Sequence, residues 1–178
     1  MQTSTTLNAT ASKTNVSQMS GKYLTFWTDH QLFGVPISDV VQIIGIQEIT
    51  PIPELPNYAK GVIDLRGSII PVIDVRIRFG KEETKYDERT CIIVTNIENA
   101  HIGFIVDAVD EVTNIDDDAI SPPPKVSHDS TNAYLTGISK VENRVVLLLD
   151  TGKILTESEF EQVSQQATTA ASDFVNKE

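Results

Sequence analysis

Between Lys22 and Asp150 the chain consists of short apolar segments separated by Gly, Pro, Asn or Asp residues. The segments are rich in Val, Ile and aromatic residues, which favour extended backbone, and the separating residues favour tight turns. The pattern predicts about ten strands, at 23–28, 32–37, 40–46, 61–66, 69–76, 90–96, 101–107, 112–115, 134–138 and 144–150. We therefore expect a mainly β fold.

About ten short strands within some 130 residues are too many for one small barrel. They fit two five-stranded barrels, and closing a small sheet also removes its exposed edges. We therefore expect residues 21–155 to form one domain of two β-barrel subdomains packed together. Residues 1–20 are rich in Ser, Thr, Asn and Gln and show no periodicity, so we expect a flexible tail there.

The C-terminal segment, residues 156–178, has the periodicity of a helix followed by a short tail. Thr156-Glu-Ser-Glu159 matches a capping box, in which the Thr hydroxyl and the Glu carboxylate bind the free amides at the start of a helix. Phe160 and Val163 lie on the apolar stripe that follows, so we expect the helix to pack against the β domain through these two residues.

One five-residue segment occurs twice: Val62-Ile-Asp-Leu-Arg66 is followed ten residues later by Val72-Ile-Asp-Val-Arg76. Gly67 and Ser68 lie between the copies, which predicts a tight hairpin. Residues two apart in a strand share a face. We therefore expect Asp64 to pair with Arg66, and Asp74 to pair with Arg76.

The charge balance excludes two classes of partner. The 14 basic and 25 acidic side chains give a formal net charge of −11, and both nucleic acids and anionic membranes attract basic surfaces. Residues 60–89 hold seven basic side chains, whereas residues 90–124 hold none and carry seven acidic ones. This indicates either two differently solvated faces or a surface with opposite charges at its ends, suited to oriented docking.

Cys91 is the only cysteine, so an intramolecular disulfide is not possible. The first twenty residues lack the apolar stretch of a signal peptide, and no segment approaches the roughly 18 apolar residues of a membrane span. We expect a cytoplasmic protein without direct membrane insertion.

Few residues in the sequence suggest chemistry. It lacks a phosphate-binding glycine loop, and its three histidines are far apart, without the spacing of metal ligands. Asp64, Asp74, Asp107 and Asp110 lie in or beside predicted strands and form a candidate Mg²⁺ or acid–base cluster. Ion pairing with nearby Arg residues is the simpler interpretation. We expect neither catalysis nor a cofactor nor a metal, and a Mg²⁺-dependent enzyme using Asp64, Asp74 and Asp107 remains the alternative.

The segment from Ile52 to Arg76 resembles the central signature of the CheW family. That signature is a proline-spaced loop, then Gly-Val-x-x-Leu-Arg-Gly, then Pro-x-x-Asp-Leu-Arg, and Val75 stands here where Leu is usual. The resemblance extends over about residues 22–155, through stretches that include Phe33-Gly-Val-Pro-Ile37 and Gly103-Phe-Ile-Val-Asp107.

The resemblance implies a fold of two SH3-like five-stranded barrels and a function without catalysis. Members of the family couple the cytoplasmic tips of methyl-accepting chemoreceptors to the regulatory domain of the CheA histidine kinase, in membrane-associated chemotaxis arrays. A coupling module of another two-component pathway is the nearest alternative.

The family's receptor-facing groove lies between the barrels, and the motif places Val40, Gly61, Arg66 and Val109 there. Arg66 would offer its planar guanidinium to a carboxylate on a receptor helix. Gly61 would permit close approach of the receptor backbone. Two alternatives stay open, because Arg66 can pair internally with Asp64, and both valines can be core residues.

Overall fold

The computed structural model describes residues 21–123 and 133–176, so the predicted tail at 1–20 lies outside the described residues. The strands are β1 (Lys22–Thr28), β2 (Gln31–Pro36), β3 (Val40–Gly45), β4 (Ala59–Leu65), β5 (Ser68–Asp74), β6 (Cys91–Ile97), β7 (Ala100–Val106), β8 (Ala108–Asn114), β9 (Ile120–Ser121), β10 (Leu135–Val141) and β11 (Arg144–Leu149). The α-helices are α1 (Val75–Arg78) and α2 (Glu157–Asn176). Short 3-10 helices lie at Ile37–Asp39, Asp117–Ala119 and Thr151–Lys153.

The strands form two sheets. The six-stranded sheet has the order β8-β1-β2-β11-β10-β9, and the five-stranded sheet has the order β3-β6-β7-β5-β4. Neighbouring strands are antiparallel except for the pairs β2–β11 and β5–β7. Two sheets and a C-terminal helix confirm the predicted fold class. No ladder joins the two ends of either sheet within the described ranges, so closure into barrels stays a prediction.

The core has three parts, and each sheet encloses one of them. The five-stranded sheet buries Ile63, Ile70, Val72, Ile92, Val94 and Ile105. The six-stranded sheet buries Leu32, Ile115, Val146 and Leu148. The largest cluster draws on both sheets and on α2, and we call it the central cluster; it includes Leu24, Phe26, Phe33, Val35, Ile73, Ile93, Phe104, Val106, Leu149 and Val163. Apolar burial therefore holds the two sheets together as well as each sheet by itself.

The predicted hairpin between the repeated segments is present, with Leu65 paired to Ser68 across a two-residue turn. The turn residues are Arg66 and Gly67, with φ of +53° and +88°. Two-residue hairpins favour such turns, because their twist matches that of the flanking strands. The second copy differs from its prediction, because β5 ends at Asp74 and the chain enters α1 at Val75.

The C-terminal helix begins with the predicted capping box. The Thr156 hydroxyl accepts a hydrogen bond from the Glu159 N–H at 3.2 Å, and the Glu159 carboxylate accepts one from the Thr156 N–H at 2.9 Å. Val163 is buried and Phe160 half-buried in the central cluster, which confirms how the helix packs.

Glu159 also binds groups outside its helix. It accepts hydrogen bonds from the Tyr58 hydroxyl at 2.6 Å and from Arg78 at 3.2 Å. Partial burial alone would raise the pKa of Glu159, but these bonds and those from Thr156 hold it below its usual value. The described helices include none long and apolar enough to cross a membrane.

Candidate functional site

The first copy of the repeated segment ends at the tip of the β4–β5 hairpin. Arg66 lies one residue beyond β4, exposed and in the turn, so it does not share a strand face with Asp64 as predicted. The Asp64 carboxylate instead accepts a hydrogen bond from the Gly67 N–H at 2.8 Å. The predicted Asp64–Arg66 ion pair is therefore wrong. Arg66 forms no salt bridge with any residue of the described ranges.

Gly61 lies on β4, where the backbone has a φ of +142° and the pairing with β5 shifts register. A β-carbon added at Gly61 would lie 2.0 Å from the carbonyl oxygen of Thr50. Thr50 and Val62 also exchange two backbone hydrogen bonds of 2.9 Å. The close approach that Gly61 permits here is therefore made by the chain itself. A receptor contact at Gly61 stays a prediction.

Val40 and Val109 come from different sheets and meet the same core. Val40 begins β3 of the five-stranded sheet, and Val109 lies on β8, at one edge of the six-stranded sheet. Both are half-buried and pack against the central cluster. Beside Val40, the Asp39 carboxylate accepts a hydrogen bond from the Thr151 hydroxyl at 3.0 Å. Both valines thus contribute to the core, and each keeps a part of its surface exposed.

The second copy of the repeated segment lies at the junction of the sheets. Arg76 binds the Asp29 carboxylate at 2.9 Å and also binds Asp107. The predicted Asp74–Arg76 pair is therefore wrong. Asp74 is only 3% exposed and accepts hydrogen bonds from the Ile77 N–H at 3.3 Å and from a Tyr hydroxyl. Burial alone would lower the pKa of Arg76, but the neighbouring carboxylates raise it, led by Asp107.

The carboxylates considered for metal binding lie in separate networks. Asp64 caps a turn, Asp74 accepts its hydrogen bond from the Tyr86 hydroxyl at 2.7 Å, and Asp107 binds Arg76. Asp110 accepts hydrogen bonds from Arg144, at 3.1 and 3.2 Å, and from the Thr25 hydroxyl at 2.8 Å. In the part of the chain that the structure describes, no three His, Cys, Asp or Glu residues are placed to hold a metal ion.

The segments of opposite charge make contact within the molecule. Arg76 of the basic segment binds Asp107 of the acidic segment. Arg144 also binds Asp110 and Glu111 of the acidic segment. Burial alone would raise the pKa of Asp110, but Arg144 and Thr25 hold it below its usual value. Internal ion pairs therefore account for part of the charge pattern.

Sequence reasoning missed an exposed apolar strip on β3. Val41 and Ile43 are 50% and 40% exposed, although both are large aliphatic residues. β3 is the first strand in the order of its sheet, so the strip lies at a sheet edge. The segment Val40-Val-Gln-Ile-Ile44 has apolar residues at four of five positions and lacks the alternation that separates the two faces of a strand. We call Val41 and Ile43 the β3 strip.

A family model described as the CheW-like domain matches residues 22–159, which is most of the chain. The chain belongs to the CheW family. The chemotaxis protein CheW of Klebsiella aerogenes is 33% identical over 159 residues, which cover 89% of this chain and 96% of that relative. The chemotaxis protein CheW of Bacillus subtilis is 30% identical over 147 residues, which cover 82% of this chain and 94% of that relative.

The CheW fold is also found in a solved structure. The scaffolding protein TtCheW from Thermoanaerobacter tengcongensis matches with a TM-score of 0.70 and 37% identity, over 75% of this chain and 91% of that one. The resemblance to CheW is thus confirmed, and with it the class of chemotaxis scaffold proteins. All four predicted receptor residues lie inside the matched region, and their contact with a receptor stays a prediction.

Proposed function

We propose that this CheW-family chain is a non-catalytic adaptor, which couples chemoreceptor cytoplasmic tips to the regulatory domain of the CheA kinase. The exposure of Arg66 carries the proposal. The side chain stands at a hairpin tip without a salt bridge to any described residue, and its neighbour Asp64 is already bound to Gly67. An exposed guanidinium without an internal partner is suited to bind a carboxylate of another protein.

The proposed receptor surface consists of Arg66, Gly61, Val40 and Val109. Arg66 supplies the charged contact, and the exposed parts of the two valines supply apolar area on either side of the central cluster. Gly61 acts indirectly, because it lets the segment at Thr50 lie against β4 and so shapes the surface that leads to the hairpin. A receptor helix with carboxylates and apolar residues on one face would complement this surface.

We place the kinase contact at the β3 strip. Two neighbouring exposed aliphatic side chains on an edge strand suit a protein contact, because their burial is favourable and the strand edge offers backbone groups for pairing. Val41 and Ile43 point away from the half-buried residues Val40, Gln42 and Ile44 of the same strand. Binding the kinase there leaves the Arg66 hairpin free for the receptor.

In this proposal the adaptor is cytoplasmic and is recruited to membrane-associated receptor arrays by its partners. Its net charge of −11 disfavours direct binding to nucleic acid or anionic lipid. Because the sequence lacks a phosphate-binding glycine loop and a suitably placed histidine, purified protein incubated with labelled ATP in the absence of kinase should neither hydrolyse ATP nor acquire phosphate.

The test is Arg66→Ala, measured by calorimetry against a receptor cytoplasmic fragment and against the CheA regulatory domain. We expect receptor binding to weaken by about 1–3 kcal/mol, the range for a charge-assisted contact, and kinase binding to stay unchanged. Ile43→Asp should give the opposite pattern. Lys140→Ala is the matched control, since Lys140 is another exposed cation without a salt bridge to the described residues.

Thermal melts of the variants and the wild type should agree within a few degrees, because none of these side chains is buried. A normally melting Arg66→Ala protein with unchanged receptor affinity would refute the receptor contact. Loss of both partners together with early melting would instead assign Arg66 a role in the fold.

A further inference from the structure

Arg76 connects groups from both sides of the junction between the sheets. It follows β5 of the five-stranded sheet, and its side chain is 14% exposed. Its partner Asp29 belongs to the turn between β1 and β2 of the six-stranded sheet. Its partner Asp107 is the single residue between β7 and β8, where the chain passes from one sheet to the other. The guanidinium therefore connects the end of β5 to the β1–β2 turn and to the start of β8 in the other sheet.

Both carboxylates are themselves fixed. The Asp29 N–H donates a hydrogen bond to the Asp107 carboxylate at 2.8 Å, and the Asp107 N–H donates one to the Trp27 carbonyl at 2.9 Å. Lys81 lies 3.7 Å from the second oxygen of Asp29. The Asp107 carboxylate is thus held by the Asp29 backbone as well as by Arg76, and the Asp29 carboxylate has Lys81 as a second cation.

The backbone that carries Arg76 is fixed as well. Asp74 caps the start of α1 through Ile77 and is held in turn by the Tyr86 hydroxyl. An arginine whose backbone and acceptors are both ordered adds a directional contact at the junction. The planar guanidinium reaches two carboxylates at once, which a lysine ammonium on a flexible stem does less precisely.

The rest of the junction is largely apolar. The central cluster supplies most of the buried contact between the sheets, and apolar burial has no preferred direction. The hydrogen bond between Thr151 and Asp39 is a second polar contact, and it lies beside Val40. The relative orientation of the sheets therefore depends on a few directional contacts in addition to the apolar packing.

We infer that Arg76 is a positioning residue, which fixes the orientation of the two sheets through Asp29 and Asp107 and thereby the shape of the surface that spans them. Val40 and Val109 lie on different sheets, so a change of orientation alters their spacing. The consequence for binding rests on the proposed receptor function. When the Arg76 contact is removed, a partner that touches both sheets binds more weakly. A partner bound at the β3 strip touches one sheet only, so its affinity does not change.

The orientation itself is measured first, in the full chain and without any partner. Spin labels at Ile43→Cys and Val145→Cys, in a Cys91→Ser background, report the distance between β3 and β11 by double electron–electron resonance. Both labelled positions are exposed, at 40% and 51%. We expect Arg76→Met to shift or broaden the distance distribution, and Arg76→Lys to restore it only in part.

Arg78→Met is the matched control, because Arg78 lies on the same short helix and is also mostly buried and ion-paired. It binds Glu159 of the C-terminal helix and the carbonyl of Ile154 shortly before that helix, and it binds neither Asp29 nor Asp107. Arg78→Met should lower stability without changing the label distance. An Arg76→Met distribution equal to that of the wild type, or a matching change in Arg78→Met, would overturn the inference.

Binding is measured second, well below the melting temperature of each unlabelled variant. Arg76→Met should bind the receptor fragment about tenfold more weakly, an effect of the size seen for residues that influence a binding site without contacting the ligand. It should bind the kinase domain with the affinity of the wild type. Equal loss of both partners would indicate general destabilisation and contradict the positioning role. If the wild type itself fails to bind receptor, the proposed function fails, and the label distances still decide whether Arg76 orients the sheets.

Discussion

The two copies of the repeated segment, residues 62–66 and 72–76, have nearly the same sequence and different surroundings. They lie on adjacent antiparallel strands of one sheet. The first ends in an exposed turn, where Arg66 is free of salt bridges to the described residues, and the second ends in α1, where Arg76 is half-buried and binds two carboxylates. The same motif therefore supplies a candidate contact for a partner in one copy and a structural ion pair in the other.

The aspartate has the same role in both copies. Asp64 accepts a hydrogen bond from the N–H of Gly67, and Asp74 accepts one from the N–H of Ile77, in each case three residues further along. What differs is the backbone after the aspartate, because Leu65 still belongs to β4 whereas Val75 begins α1. Gly67 adopts positive φ and lets the chain reverse, whereas Ile77 continues into a helical turn. The two arginines therefore lie on different backbone conformations, one in an exposed turn and the other in a short helix.

The residue before each copy also differs, and substitution of the one before the first copy should cause the largest loss of stability. Gly61 precedes the first copy and Pro71 precedes the second. We expect Gly61→Ala to destabilise the fold by about 4 kcal/mol, because the new β-carbon would lie 2.0 Å from the Thr50 carbonyl oxygen on a backbone of positive φ. Urea denaturation measures the loss.

The matched control is Gly67→Ala in the turn after the first copy. Gly67 also has positive φ, but nothing lies within 4 Å of an added β-carbon, so only the backbone is strained. A loss of about 1 kcal/mol is expected there. If the two variants are equally stable, crowding at Thr50 is not what requires glycine at position 61.

The next largest loss of stability is expected when the two arginines are replaced by the same residue and compared. Arg76→Met should destabilise the fold by about 2–3 kcal/mol, because it leaves Asp107 half-buried without a cation and Asp29 with Lys81 alone. Arg66→Met should change stability by about 0.5 kcal/mol or less, since its side chain is exposed. The midpoints of urea denaturation check both values, provided that the m-value is the same in the variants and the wild type. Equal losses would mean that Arg66 has a contact in the fold like that of Arg76.

Most of the fold follows from local pattern. Apolar runs predicted ten of the strands, the residues between the repeated segments predicted the β4–β5 hairpin, and Thr156 and Glu159 predicted the start of α2. The two-residue strand β9 was missed, because two residues cannot show a period. The end of β5 was also misplaced, because Val75 favours a strand by itself, and the cap that Asp74 provides depends on its backbone geometry.

The site was predicted less well, for a physical reason. Ion pairs depend on which strands meet, and the partners of Arg76 are 47 and 31 residues away in sequence. Pairing each arginine with the aspartate two residues before it was therefore wrong in both copies. Arg76 binds Asp29 and Asp107, and Arg66 has no salt bridge to the described residues. The glycine at position 61 was recognised as important, but the group that approaches it lies in a proline-containing connection whose path the sequence does not specify. The β3 strip had no alternation to reveal its exposed face.

The smallest effect separates the conformation of Arg66 from its charge. Its φ of +53° is unfavourable for an arginine, whereas asparagine adopts this region more readily. Arg66→Asn should therefore stabilise the fold by about 0.5 kcal/mol relative to Arg66→Ala, which keeps the strain. Both variants lack the guanidinium, so both should lose receptor affinity to the same extent. Urea midpoints and calorimetry on the same preparations check the two expectations. If Arg66→Asn is less stable than Arg66→Ala, the positive φ at position 66 does not limit the stability of the turn. If Arg66→Asn binds receptor as well as the wild type, the turn and not the charge is what the receptor recognises.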